Sequence, residues 1–224
     1  MTAQVISVIQ SKGGAGKTTL LLTIATHMYN DGAKIAVIDT DPQKSTYRFC
    51  ESFDHFDFDY DFIGEPENIG KAIKQLRDSG YDAIFVDSAG YKSSMVTFIT
   101  SNSDLILIPS KADTDNALGA VKTFGLIEAT CENMGKSIKV KVVMMDIDKN
   151  TNITKDIVNE FKKGEIPMLN KFVGHATGYK ELLTKGVVHT SGAFKNNTDA
   201  LMCEFQLNNM INFYNNNLKV VANG

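Results

Sequence analysis

The chain predicts an α/β fold, a mostly parallel twisted sheet flanked by helices on both faces. Three observations predict it. Apolar runs of strand length recur at residues 5–9, 35–38, 83–86, 105–108 and 140–145; helix-length segments separate most of them; and a glycine-rich loop at 11–19 joins the first run to an apolar helical pattern. Such alternation signals parallel strands crossed over by helices, with ligands gathered beyond the carboxyl ends of the strands.

The loop reads Ser11-Lys12-Gly13-Gly14-Ala15-Gly16-Lys17-Thr18-Thr19. Glycines let successive backbone N–H groups turn inward, and the helix that follows adds its positive dipole end, so the segment is a phosphate cradle. Its nucleotide-binding candidates are Gly13, Gly14, Ala15, Gly16, Lys17, Thr18 and Thr19, with Lys17 reaching the β- and γ-phosphates and Thr18 ligating Mg²⁺. The usual template G-x-x-x-x-G-K-[ST] is broken here: Ser11 stands at its first glycine, and a second lysine, Lys12, comes next. The string resembles the deviant Walker A loop of the ParA/MinD family of P-loop ATPases. That resemblance implies a nucleotide-sandwiched homodimer in which Lys12 joins Lys17 in catalysis by acting across the interface.

A helix over 17–30 and the strand 35–38 follow. The strand runs into Asp39-Thr40-Asp41-Pro42-Gln43, ahead of a helix over 45–51. Asp41 with Pro42 makes a good helix N-cap and first helical position. Paired acids at a strand end also suit water or metal chemistry. The segment is similar to the family's D-x-D-P-Q, which implies that Asp39 orients the attacking water and that Asp41 supports it or meets Mg²⁺ through water. Residues 56–62 alternate Phe or Tyr with Asp, as on a half-exposed edge strand. After a helix over 66–79, the strand 83–86 ends in Asp87. Beside the loop this reads as a Walker B aspartate that holds Mg²⁺ through a water or the Thr18 hydroxyl. Ser88-Ala89-Gly90 resembles a switch loop in which the Gly90 N–H senses the γ-phosphate.

Helices over 92–102 and 116–134 flank the strand 105–108. Leu107-Ile108-Pro109 resembles the family's strand into a proline loop beside the adenine, without its second proline. Met144-Met145-Asp146 stands where relatives often present Asn or Arg to the base. The resemblance thus gives Pro109 and Met145 as base contacts, and the lack of an Asn/Thr-Lys-x-Asp string favours ATP over GTP. Helices over 153–162, 178–183 and 198–218 complete the pattern. The order Pro167, Lys171, Tyr179, Leu182, Gly186 is similar to the family's late segment, which implies non-specific DNA contacts at Lys171, Lys180, Lys185 and Lys195. Such contacts need only positive side chains on one face and are sensitive to salt. Leu207, Met210, Ile211, Tyr214 and Leu218 share one face of the last helix, among asparagines where a membrane-surface helix would carry Lys and Arg. This stripe is expected to pack in the core.

The 224 residues, 43% hydrophobic, suit one domain over 1–224 with a sizeable core. Net charge is −3, which excludes a uniformly basic nucleic-acid protein, yet 51–67 holds seven acids and no Lys or Arg, and 162–195 holds six lysines against two glutamates. Cys50, Cys131 and Cys203 are isolated, and the four histidines lack metal spacing, so neither a disulfide framework nor a metal cluster is expected. No leader or membrane span is evident, and a cytoplasmic, nucleoid-associated protein is expected. The resemblance implies a weak ATPase using ATP and Mg²⁺, stimulated by a ParB-like or other partner with a basic N-terminal segment, that segregates or positions a plasmid or other cargo. Two other readings stay open: an ATPase that positions a conjugation or protein complex, and a small-molecule synthetase of the dethiobiotin synthetase type.

Overall fold

A computed structural model describes residues 2–88, 93–148 and 150–214. Its centre is the run of apolar strands. β1 (Gln4–Val8), β2 (Ile35–Asp39), β4 (Ala83–Asp87) and β5 (Leu105–Ser110) are buried at every residue. With β3 (Asp59–Phe62), β6 (Lys139–Ile147) and β7 (Val173–Gly174) they form one seven-stranded parallel sheet in the order β3-β2-β4-β1-β5-β6-β7. β1 lies between β4 and β5, so the chain winds away from it in both directions. That reversal opens a crevice beyond the carboxyl end of β1, where the glycine loop sits.

Alternate strand residues feed two cores. Ile6 and Val8 face one layer, formed by α1 (Lys17–Asn30), α2 (Ser45–Ser52), α7 (Thr177–Lys185) and α8 (Gly192–Leu207). Val5 and Ile9 face the other, formed by α3 (Pro66–Arg77), α4 (Ser93–Asn102), α5 (Thr114–Met134) and α6 (Asn152–Lys163). Each fully buried Ile, Leu or Phe contributes roughly 1.5–3 kcal/mol, and burial on both faces fixes the sheet between its helices.

Two expectations are corrected. The helix expected over 198–218 starts earlier and breaks: it runs Gly192–Leu207, helical backbone resumes only at 212–214, and 215–218 lie outside the described residues. Asn209 turns left-handed at φ 49°, the Asn208 side chain bonds back to the Glu204 carbonyl, and the Met210 N–H closes on Phe205. Asparagine tolerates that conformation and competes for backbone bonds, so it ends the helix. Met210, Ile211 and Tyr214 still pack in the core, whereas Leu207 is 77% exposed and Leu218 lies outside the described residues. The Gln4 amide stitches this segment to β1 through the Met210 carbonyl and the Asn212 N–H. In the aromatic–acid stretch, Asp54–Phe56 is a 3₁₀ turn and Asp57 turns left-handed, which sends Phe56 and Phe58 into the core. Only 59–62 enters the sheet, and Asp59, Tyr60 and Asp61 are all exposed there instead of alternating. β7, a two-residue edge strand, is too short to leave a pattern in the sequence.

Candidate functional site

Gly14 and Gly16 take φ of 75° and 99°, conformations that glycine adopts without strain. Gly16 caps α1 with no side-chain hydrogen bond, and the first turn of α1 carries no acid. The side chains of Asp113 and Thr151, by contrast, cap α5 and α6. The first N–H groups of α1 are therefore left for an anion, where the helix dipole favours one.

The base of the loop is held by Gln10, which sequence reasoning missed. Its fully buried amide donates to the carbonyls of Pro109 (3.0 Å) and Asn116 (3.4 Å) and accepts from the Lys12 N–H (3.2 Å) and the Thr123 hydroxyl (3.3 Å). A polar residue closing an apolar strand just before the loop was the available signal. Gly119 on α5 makes this packing possible, since a Cβ there would lie 2.8 Å from the Gln10 Oε1. Lys12 turns outward, its Nζ 2.8 Å from Asp115 Oδ2, a hydrogen-bonded pair that raises the lysine pKa and lowers that of the carboxyl.

The acids at the strand ends form one buried network. Asp39, with no exposed surface, accepts at Oδ1 from the Asp41 N–H (2.9 Å) and at Oδ2 from the Thr46 and Tyr47 N–H groups (3.0 Å each). Burial raises its pKa, and these backbone bonds oppose the rise. The structure therefore gives Asp39 the task of holding the first turn of α2, and it leaves Asp41 off the helix cap, because α2 starts only at Ser45. Asp41 instead closes a tight turn onto the Gln43 N–H (2.9 Å) and lines the site cavity. Asp87 is buried, and its Oδ2 accepts from Thr18 (2.7 Å) and Thr46 (2.5 Å). Desolvation pushes its pKa up to about 6, against the pull of these hydroxyls and of Lys17. Thr46, also missed in the sequence, thus joins both acids to α2. The Asp87 Oδ1 is buried with no partner among the described residues. A hard oxygen left unsatisfied beside the Thr18 hydroxyl fits Mg²⁺, which binds through one or two carboxylates plus phosphate and water. Among the described residues no cluster of three His, Cys, Asp or Glu could hold a metal by itself.

The loop and Asp41 line a cavity of about 470 Å³ that runs from Gly13, Gly14, Gly16, Lys17, Thr18 and Thr19 to Met145, Asp146 and His175, with Asp39, Thr46 and Asp87 buried behind it. Its size falls in the range of cofactor sites. A larger, open groove of about 820 Å³ lies elsewhere, between the end of α5 and the start of β6, and carries none of this chemistry. Met145 lines the site cavity and packs within 3.6 Å of where a Cβ on Gly16 would stand. Pro109 does not line it; it serves the loop through its carbonyl to Gln10. Ala15 is buried and does not line it either. Gly90 lies outside the described residues. The four candidate DNA lysines stand in different surroundings: Lys180 lines the cavity, Lys185 pairs with Glu181 (3.0 Å), Lys195 pairs with Asp199, and Lys171 sits on a loop pinned by the buried Glu204. Among the described residues no helix is long and apolar enough to cross a membrane.

The chain matches the VirC1 protein family over residues 3–206. It is 29% identical over 150 residues to Protein ParA of Rhizobium radiobacter, a match covering 62% of this chain and 63% of ParA, so it spans less than two thirds of that relative. Among solved structures, a plasmid partition protein from Borrelia burgdorferi B31 bound to AMPPNP is similar with a TM-score of 0.70 at 17% identity, over 91% of this chain and 98% of that one. Cobyrinic acid a,c-diamide synthase from Mycobacterium smegmatis, with bound ATP analogue and magnesium, is similar with a TM-score of 0.67 at 14% identity, over 91% and 96%. At such identities the structural likeness is one of fold. The family match takes in every strand and the whole phosphate loop, and the chain belongs to the VirC1 protein family, with the ParA/MinD P-loop NTPase fold.

Proposed function

We propose that this chain is a ParA-like ATPase that closes with a second copy over two ATP–Mg²⁺, binds DNA non-specifically in that state, and is released when a partner protein stimulates hydrolysis. The cycle would segregate or position a plasmid or other cargo. One observation carries the reading. Lys12 belongs to the phosphate loop, yet its amine lies outside the cavity that loop builds and rests on exposed Asp115. A cation rooted at the loop but turned from its own nucleotide is available to a neighbour's, where it offsets charge on the transferring phosphoryl.

The backbone amides of Gly13, Gly14 and Gly16 and the Lys17 amine hold the triphosphate. Thr18 and Asp87 hold Mg²⁺, which when bound neutralises phosphate charge. The water-orienting role suits Asp41 better than Asp39, because Asp39 has both oxygens committed to three backbone N–H groups while Asp41 faces the cavity. A single copy lacks the second lysine, so turnover is slow until copies pair and a partner, ParB-like or otherwise, acts. DNA contact draws on Lys171, Lys180, Lys185 and Lys195. Two of these are paired with carboxylates, which favours a weak, salt-sensitive association that dimerisation strengthens.

The test measures solution mass and DNA co-sedimentation with ATP, ADP and no nucleotide for wild type, Lys12→Ala and Asp41→Ala. Wild type should dimerise only with ATP, Lys12→Ala should bind ATP and stay monomeric, and Asp41→Ala should stay dimeric because hydrolysis stops. Identical behaviour of the three would remove the mechanism. ATP consumption that requires a small carboxylic acid would favour a synthetase instead.

A further inference from the structure

The sheet ends at β3, and that end is open. β3 pairs with β2 on one side, and among the described residues no strand lies on the other. Along such a strand the backbone groups of successive residues point to opposite sides. Ile63 gives its N–H to the Asp39 carbonyl, so Asp61 and Asp59 also face β2, whereas Tyr60 and Phe62 present N–H and C=O outward. The Phe62 N–H is closed by the Asp61 side chain at 2.7 Å, and the Tyr60 N–H has no partner among the described residues. Between β3 and α3 runs a groove of about 540 Å³, in whose lining Asp61 and Glu65 outnumber Lys71. Open edges invite another chain, and proteins guard them with charge, especially lysine. Here the guard is acidic: the seven carboxylates from Glu51 to Glu67 are all exposed, with no Lys or Arg among them. On the opposite face of β3 the rings of Phe62 and Tyr47 hold an ammonium, with Lys44 Nζ 4.1 Å from the first centroid and 5.6 Å from the second. Tyr60 packs edge-on against Tyr47 at 5.1 Å and is itself 38% exposed.

We propose that the β3 edge docks an extended segment of another protein, one that alternates Lys or Arg with apolar residues and joins the sheet as a further strand. Main-chain bonds to Tyr60 and Phe62 give such a segment its place, and its side chains give it specificity. Side chains of neighbouring strands alternate in step, so basic residues lie over Asp61 and Asp59, which also accepts from the Tyr81 hydroxyl, while apolar ones cover Tyr60 and Phe62. A cation that draws Asp61 off the Phe62 N–H frees a second outward donor. Charge therefore opens the edge as well as attracting the partner. The same acids turn away other occupants: a second copy would set them against themselves, and nucleic acid would bring phosphate to them. The groove shares no lining residue with the phosphate cavity, so docking needs no nucleotide.

The test is fluorescence anisotropy of a labelled octapeptide of alternating Lys and Val, with and without ATP–Mg²⁺, against wild type, Tyr60→Pro, Tyr60→Ala and Asp61→Lys. A twin peptide, N-methylated at every residue, keeps the charge and loses every strand bond it could donate. Proline at 60 removes the outward N–H and leaves the pairing with β2 intact, a place where edge strands accept it. Wild type should bind the octapeptide equally with and without ATP and bind the methylated twin at least tenfold more weakly. Asp61→Lys should lose at least tenfold, and Tyr60→Pro at least threefold more than Tyr60→Ala, which keeps the N–H. A wild type that ignores the octapeptide, a smaller difference in any of these comparisons, or binding that appears only with ATP overturns the inference. The methylated comparison needs only wild type, so it stands even where a variant folds poorly. ATP binding is read separately on the same proteins, and failure at the edge leaves the ATPase reading untouched.

Discussion

Replacing Asp39 with alanine separates a structural carboxylate from a catalytic one. The side chain has no exposed surface and accepts three backbone N–H groups, from Asp41, Thr46 and Tyr47, at 2.9–3.0 Å. A hydrogen bond to a charged group is worth about 1.5–3 kcal/mol, and a buried donor left without a partner costs about 1–3 kcal/mol. Water can reach part of the first turn of α2 once the carboxylate is gone, so the three losses do not add in full. The expected cost is about 3–5 kcal/mol, a large share of a total stability of roughly 5–15 kcal/mol. With an m-value of about 3 kcal/mol per molar urea, the unfolding midpoint read by circular dichroism should fall by about 1–1.7 M. Asp39→Asn should fall by less, since its amide keeps an acceptor but turns an NH₂ toward a backbone donor. An Asp39→Ala protein whose midpoint stays within about 0.3 M of wild type, and which binds ATP but cannot hydrolyse it, would refute this reasoning and return the water-orienting role to Asp39.

The pH dependence follows from Asp87. Folded, this carboxyl keeps its proton up to about pH 6, and unfolded only to about 3.9, so between these values the folded state binds more protons. Its contribution to stability is present below about pH 4 and is lost as pH rises through 6, on the order of 2–3 kcal/mol, and Asp87→Asn should lack that part of the slope in urea titrations run from pH 4 to 7. Affinity for Mg²⁺–ATP should move the opposite way, rising through the same window, because Mg²⁺ needs the ionised form; isothermal titration at pH 5, 6 and 7 reads this. Thr46→Val removes a 2.5 Å hydrogen bond to the charged Asp87, so the midpoint of that affinity curve should shift to higher pH and stability should fall by about 1.5–3 kcal/mol at neutral pH. Gly119→Ala sets a methyl 2.8 Å from the Gln10 Oε1, which is itself held by several bonds, so the loop must shift; ATP affinity should drop severalfold while far-UV circular dichroism stays unchanged.

The sequence is most readable where function depends on neighbours along the chain. The strand, glycine loop and helix from Gln4 to Asn30 are one continuous segment, and the residue types needed for left-handed backbone, phosphate charge and Mg²⁺ all stand within nine positions. The core strands are equally plain, because burial on both faces leaves an unbroken apolar run. The end of α8 is not, since an apolar stripe at helical spacing continues through Asn208 and Asn209 although the chain leaves the helix there. Periodicity reports which residues are buried, and Met210, Ile211 and Tyr214 are buried, but it cannot tell a helix from a turn that returns the same side chains to the same core.

The two ends of the cavity differ in the same way. At the phosphate end, sequence order and spatial order coincide, and only the supports are hidden: Gln10 and Thr46 act through partners more than forty positions away in Pro109 and Asp87. At the base end the decisive feature is a register shift between strands 28 residues apart, Met145 against Val173, and no local pattern encodes it. The motif therefore speaks for the phosphate end alone, where successive main-chain amides and Lys17 follow one another along the chain. Contacts such as Asp146 with His175 and Asp115 with Lys12 come from how separate elements meet. Substitutions in the loop should thus abolish nucleotide binding outright, whereas loss of a distant support should weaken it by degrees, and titration of ATP–Mg²⁺ into Lys17→Ala, Gln10→Ala and Thr46→Val would tell a loop that binds by itself from one that its supports hold in shape.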